Sequence, residues 1–465
     1  NERFPIFFPE KRPFFLEGID YFRTSLQVVN TRTIADPDVA VKLTGKVGRN
    51  TFGLFSAVDR FPDTSTRAYV GVMRLKRDFG AQSYLGTIAT AYHFGSQQHN
   101  DLAGLDGKYQ LDPATYVDFQ VVVTTSRRLF YNPDIDSSQY RTGNGVAYQA
   151  DYDYTGKTRG YRLTVSGRSK DYRADVGFTR RTNTHGVSGG FRLGTEPDPK
   201  KGLISMTTRT SASFNADETG RLQNSSVNFS TEWNFQKQFH ISSQTGFAIE
   251  KLYEDEFGAR RNSRQNGIFY GSNLRSARQF TARVDLEKTF SKTFSVDGGM
   301  GFGLNVFDLD FGASKKYPRV SPAALIGSDR LDPGPALSRY YDVGTSLHPT
   351  NPWGMSFSYQ HQSLRRNDNH LTALNSNILS FRSTYQFTRF TFARVRMDYQ
   401  ALDGSINSQL LFGWNPNPGT AIYVGYNDNS FYKGFNQFSG RFEDGIRRDG
   451  RRFFIRLSYL FRKSL

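Results

Sequence analysis

Val227-Asn228-Phe229-Ser230-Thr231-Glu232-Trp233-Asn234-Phe235 carries the first structural signal in the chain. Successive side chains of an extended strand point to opposite faces. Val227, Phe229, Thr231, Trp233 and Phe235 therefore share one face, and Asn228, Ser230, Glu232 and Asn234 share the other. The same period of two returns upstream. There Val146, Tyr148, Ala150, Tyr152 and Tyr154 oppose Ala147, Gln149, Asp151 and Asp153. Downstream, Phe280, Ala282, Val284 and Leu286 oppose Thr281, Arg283, Asp285 and Glu287, and Ala393, Val395, Met397 and Tyr399 oppose Arg394, Arg396, Asp398 and Gln400. Val117, Phe119, Val121 and Val123 repeat it once more. No stretch sustains the helical spacing of i, i+3, i+4 and i+7.

Strands with one apolar and one charged face suit two architectures. In a soluble sandwich the apolar faces meet in a core. In a membrane barrel they face lipid and the polar faces line a lumen. The polar faces here carry several charges each, which a wet interior accommodates. Segments near ten residues match a tilted bilayer crossing. Aromatics cluster at strand ends, at Phe235, Phe239, Phe290, Phe294, Phe387 and Phe390, where an interfacial girdle belongs. The reading is all-β: a transmembrane, antiparallel, up-and-down β-barrel in the bacterial outer membrane.

Connection lengths point the same way. Gly48–Asn50, Asp112–Pro113, Ser291–Lys292, Thr388–Arg389 and Asn415–Gly419 are tight, whereas Leu129–Gly143, Tyr253–Ala277, Asp308–Pro335 and Asn427–Gly450 are long, and the two kinds alternate. Short periplasmic turns and longer outer loops are the rule for such barrels, as is an even strand number. The count is about 22 strands, with a range of about 18–24. Gly167–His185 reads as a loop or a further hairpin.

The 465 residues contain no cysteine, which excludes a disulfide framework, thiolate metal sites and cysteine nucleophiles. No segment approaches the ~18 apolar residues of a membrane helix. With neither an initial Met nor a charged-then-apolar leader, the chain is expected to start as a mature or trimmed product. The formal net charge is +17, yet the basic residues are dispersed over polar strand faces and form no single stripe. Nucleic acid is therefore not the expected partner. Lumenal Arg394 and Arg396 would attract anions, and rim residues would pair with lipopolysaccharide phosphates.

The final segment alternates Phe453, Ile455, Leu457, Tyr459 and Phe461 with Phe454, Arg456, Ser458 and Leu460. A closing apolar strand ending in an aromatic resembles the signal read by the outer-membrane barrel assembly machinery. Phe453, Leu457, Tyr459 and Phe461 are its candidate residues.

Several segments together resemble a known family. Phe7-Phe8-Pro9-Glu10-Lys11-Arg12-Pro13-Phe14-Phe15-Leu16-Glu17-Gly18 is similar to the opening motif of the domain-of-unknown-function 5916 family. Lys42-Leu43-Thr44-Gly45-Lys46, Asp175-Val176-Gly177-Phe178-Thr179-Arg180-Arg181, Gly413-Trp414-Asn415-Pro416-Asn417-Pro418-Gly419-Thr420 and Leu457-Ser458-Tyr459-Leu460-Phe461-Arg462 also match its pattern. The loops Tyr253–Gln279 and Asp308–Pro335 do not align with it. The resemblance implies a Gram-negative outer-membrane barrel preceded by a carbohydrate-binding family-nine-like domain. It carries over no reaction or ligand.

Residues 1–24 form the first region and 25–465 the barrel. Phe8, Phe14, Phe15 and two flanking prolines do not suit a central strand. The segment is expected to be an ordered strap in the barrel mouth or lumen, with Glu10, Lys11 and Arg12 as its charges and with Lys11 and Arg12 paired to lumen acids. The lumen-facing candidates are Asp151, Glu232, Arg283, Asp285, Glu287, Arg394, Arg396, Asp398 and Arg456.

Catalytic patterns are thin. No histidine pair has metal-binding spacing. His361 and His370 lie near Ser363 and Asp368, and Glu254-Asp255-Glu256 and Asp428 are acidic enough for loop calcium. Solvated loops are the better account of both groups, and no enzyme, metal or cofactor is assigned. Three functions remain open. One is a transport or channel component for solute uptake, linked to the preceding carbohydrate-binding-like domain. The second is a closed barrel anchoring a surface or periplasmic domain or partner, carbohydrate or protein. The third is an outer-membrane hydrolase. A barrel this wide needs a plug. No segment here is long enough, so the preceding domain or a partner is expected to supply it.

Overall fold

A computed structural model describes residues 9–60, 66–132, 135–257, 268–417, 419–432, 435–436 and 441–459. Phe8 and Phe461 lie outside these. One sheet of 21 antiparallel strands runs from Pro37–Val47 to Ile446–Tyr459, each strand pairing with its sequence neighbours. Its members span from 10 residues, as in Arg159–Arg168, to 19 residues, in Ser137–Thr155. A two-residue hairpin, Phe435–Asn436 with Arg441–Phe442, stands apart in the last long loop. The count falls inside the expected range but is odd. Among the described residues the first strand pairs only with Asn50–Arg60, and the last only with Thr420–Tyr432.

Tight and long connections fall on opposite ends of the strands. Val47 joins Asn50, Ser291 joins Phe294, and Thr388 joins Thr391 at one end. The long segments after Tyr253, Asp308 and Tyr432 leave from the other.

Register fixes which face is which. Asp118 stands opposite Asp151, Asp151 opposite Thr164, Thr164 opposite Ser188, and Ser188 opposite Ser213. The row continues through Ser226, Ala248 and Gln279 without a bulge. Ser25 of the N-terminal segment donates to Asp118 at 3.0 Å, so this row is the inner one. Arg283, Asp285 and Glu287 alternate on the same side as Gln279. Pairing carries that side from Arg283 through Gly301, Tyr340, Gln362 and Ser376, and strand periodicity carries it on to Arg382. Arg382 stands opposite Arg396, so Arg394, Arg396 and Asp398 face inward too. Glu232 and Arg456 lie on the inner side by the same pairing.

The outer side is apolar. Val284, Leu286 and Met397 are 43%, 48% and 47% exposed there. A contiguous bare apolar wall of this extent is a surface for lipid. At the tight-turn end Phe235 stacks on Phe239 at 5.5 Å and Phe290 on Phe294 at 5.4 Å, forming part of an aromatic girdle.

Candidate functional site: a lumen partly filled by the chain itself

The first strand starts at Pro37, so the strap reaches Asp36, well beyond residue 24. Pro13 opens a one-turn helix, Pro13–Leu16, where its missing N–H and fixed φ do no harm. Phe15 is buried and meets Phe55 of the wall edge-on at 5.9 Å. Phe22, Leu26, Val28 and Ile34 are buried as well. Leu26 donates its N–H to Gln120 at 2.6 Å, and Asp59 accepts from the backbone of Ala35 and Asp36. Gly53 is required here, because a Cβ would sit 2.8 Å from the Phe22 ring.

Arg12 does not reach a lumen acid. It holds Glu10, at 2.8 Å, and the carbonyls of Thr31 at 2.8 Å and Ile34 at 2.7 Å, with its guanidinium 4.0 Å over Phe15. Folding the strap back on itself satisfies the cation at shorter range than the wall offers. The Arg12 guanidinium in turn holds the Glu10 carboxyl well below the usual carboxylate range. Phe14 is 41% exposed, and Lys11 is exposed.

The stretch Gly167–His185 is not a hairpin. Strands end at Arg168 and resume at Thr184, and the loop between turns inward onto the strap. Val176 accepts from Asn30 N–H at 2.7 Å, and Phe178 donates to the Gln27 carbonyl at 2.9 Å. Asn100 on the wall accepts from Asp175 N–H at 2.8 Å. Tyr172, Ala174 and Val176 are buried beside Leu26, Val28 and Ile34. A Cβ at Gly177 would lie 2.5 Å from the Gln27 oxygen.

Three sequence motifs thus converge. The opening motif is the strap, and Lys42 of the second reaches the carbonyls of Phe14 and Glu17. The Asp175–Arg181 motif is the loop that clamps it, with Arg181 paired to Glu256 at 2.9 Å. Strap and loop together do what neither length suggested, filling the lumen along the strands from Pro37 to Arg168. One sequence signal pointed there. Leu54-Phe55-Ser56-Ala57-Val58 and Tyr69-Val70-Gly71-Val72-Met73 are apolar on both faces, as strands covered on both sides are.

The other side of the lumen is wet. A cavity of about 770 Å³ opens there, with Arg162, Arg192, Arg209 and Arg283 in its lining. Each of these arginines is engaged. Arg162 holds buried Asp151, Arg209 holds Glu232 at 2.7 Å, and Arg192 donates to the Gly156 carbonyl. Arg283 reaches Asp285 and, at 3.1 Å, Asp342 across two strands. Arg396 pairs with Asp398. Glu287 stands beside Asp297 in register, and Arg456 beside Tyr423.

The remaining candidates resolve into structure. His361 bonds Asn377 at 2.8 Å and stacks on Tyr341 at 4.3 Å, on the outer face. His370 offers its carbonyl to Arg365. Glu254 accepts from Phe269 N–H, Asp255 meets Arg221, and Asp428 takes Tyr426 and Ser430. Among the described residues no cluster of three potential metal donors occurs. Phe453, Leu457 and Tyr459 are exposed on the last strand, pointing outward as the alternation requires.

A wide meander with a bare apolar exterior, a polar lumen and an inner strap defines an outer-membrane β-barrel. Among solved structures, the chain is similar to the FrpB iron transporter from Neisseria meningitidis (F5-1 variant), with 11% identity, 90% of this chain and 79% of that chain covered, and a TM-score of 0.51. It is similar to the copper transporter OprC at 11% identity, 91% and 79% coverage, and a TM-score of 0.52. The likeness is one of fold. No family model and no curated protein matches the chain.

Proposed function

We propose that this chain is the barrel of an outer-membrane uptake or channel protein whose strap and inward loop act as a partial, self-made plug. The cavity of about 770 Å³ beside that plug carries the reading, since a barrel serving only as an anchor has no need of a charged, water-accessible lumen. The solved neighbours are named as iron and copper transporters, which supports transport as the class of activity but assigns no cargo. The resemblance to the 5916 family adds a carbohydrate-binding-like domain ahead of the strap, and with it a saccharide as the first solute to try. A closed anchor is the second reading, favoured by the strap and loop that occupy the lumen from Pro37 to Arg168.

Conductance in planar bilayers separates the two. The protein is expected to conduct weakly, and Lys42→Met combined with Glu10→Gln to raise conductance severalfold by releasing the strap. A silent barrel in both forms establishes the anchor instead.

A further inference from the structure

The arginines of the large cavity are all engaged, whereas Arg382 and Arg394 on the inner wall have no ion pair among the described residues. Arg382 stands directly opposite Arg396 across the strand ladder, and Arg394 is two residues along on the same face. Like charges placed opposite one another destabilise the pair. Asp398 relieves Arg396 alone. No carboxylate lies within ion-pair distance of Arg382 or Arg394 among the described residues, and Arg394 only overlies the Phe392 ring at 5.5 Å. These arginines line a second cavity of about 550 Å³ near the tight-turn end of the lumen. Its other polar walls are Ser346, His348, Ser356, Thr384 and Gln409, which bring hydroxyl, imidazole and amide groups but no acid. The cavity is therefore rich in donors and positive, while the neighbouring wall at Asp285, Glu287, Asp297 and Asp342 is acidic around Arg283.

We propose that the Arg382–Arg394–Arg396 cavity is a binding site for an oxyanion group, phosphate or carboxylate, on the solute that enters the lumen. Guanidinium forks match both groups geometrically and bind them bidentately. An oxyanion bridging Arg382 and Arg396 would also remove the repulsion between them. The acidic wall, roughly three strand spacings or ~14 Å from Asp297 to Arg382, would turn an asymmetric solute so that its anionic end meets the arginines. The proposal rests on the lumen being a solute path.

The test is titration calorimetry on the folded, detergent-solubilised chain, with inorganic phosphate and citrate as probes and glucose as the neutral control. At least one anion is expected to bind, and Arg382→Ser with Arg394→Ser to weaken it tenfold or more. Removing two charges from the nearby turns, by Lys292→Ser with Arg389→Ser, should change affinity less than twofold. Whether phosphate, citrate or both respond identifies the group recognised. If the serine pair does not fold, Arg382→Lys with Arg394→Lys should still lose several-fold, because the charge remains but the fork does not. No binding of either anion, or equal loss in the turn variant, overturns the site. A conducting barrel that binds no anion ends this proposal while leaving transport standing. Binding to a silent barrel does the reverse for transport and keeps the site.

Discussion

The two sides of the lumen are built from the same strand pattern yet furnished oppositely. Along the strands from Pro37 to Arg168 the inner wall presents Phe55, Ala57, Val70, Val72, Ile88, Leu102 and Val122, all buried under strap and loop. From Thr184 onward it presents Ser213, Asn228, Gln244, Arg283, Tyr340 and Arg396 to water. The outside carries exposed apolar side chains along both halves. Period-two alternation therefore reports what each face touches: strict alternation marks lipid against water, and its loss marks lipid against protein.

The sharpest way to break this contrast is to remove one cation from each side. Arg74 and Asp106 form a buried pair under the plug, each side chain 2% exposed, with one contact at 2.7 Å. Arg74→Ala leaves Asp106 buried and alone, and is expected to cost about 3–5 kcal/mol. Arg396 on the wet side keeps 42% of its side chain exposed, so Arg396→Ala should cost less than about 1 kcal/mol. Urea unfolding in lipid vesicles measures both. Equal effects would mean that the two sides are packed alike.

The second comparison is between faces. Val284→Arg puts a cation among acyl chains and is expected to cost about 2–4 kcal/mol, whereas a lumen substitution such as Thr281→Arg costs little. Thr281 is three residues away on the inner side. A reversed order would turn the barrel inside out.

The smallest effect concerns the strap. Because Arg12 depresses the folded-state pKa of Glu10, the stabilisation is complete above the ordinary glutamate pKa and is lost as the pH falls below it. Limited proteolysis of the strap should accelerate on acidification below about pH 4. Glu10→Gln should show the faster cleavage already at neutral pH and lose the acid dependence. Unchanged protection in that variant would place the strap's hold elsewhere, at Lys42 or the inward loop.

The wall was legible because its code is local. Tyr148, Trp233, Val284 and Met397 face outward, and the charged neighbours face inward, as the alternation requires. The plug was less legible because its parts are remote in sequence and short. Tyr172, Ala174 and Val176 alternate like a strand, but their partners are Leu26, Val28 and Asn30, a contact no periodicity encodes. Arg12 pairs within the strap and not with a lumen acid because a nearer acceptor, Glu10, satisfies it first. The described strands number 21 where an even count near 22 is expected, because connection lengths fix the alternation of ends better than the number of strands.

Strap, inward loop and the strands they touch also share a place in the chain. Nearly everything that seats the strap, from Lys42 and Gly53 through Asn100 and Gln120 to Gly177, is encoded before residue 184. Arg181 with Glu256 is a later fastening. The occupied half is thus one contiguous stretch of chain, although its contacts are long-range, with Gln120 lying 94 residues beyond Leu26. A chain cut after residue 183 would therefore still carry the strap, the inward loop and nearly every group that seats them.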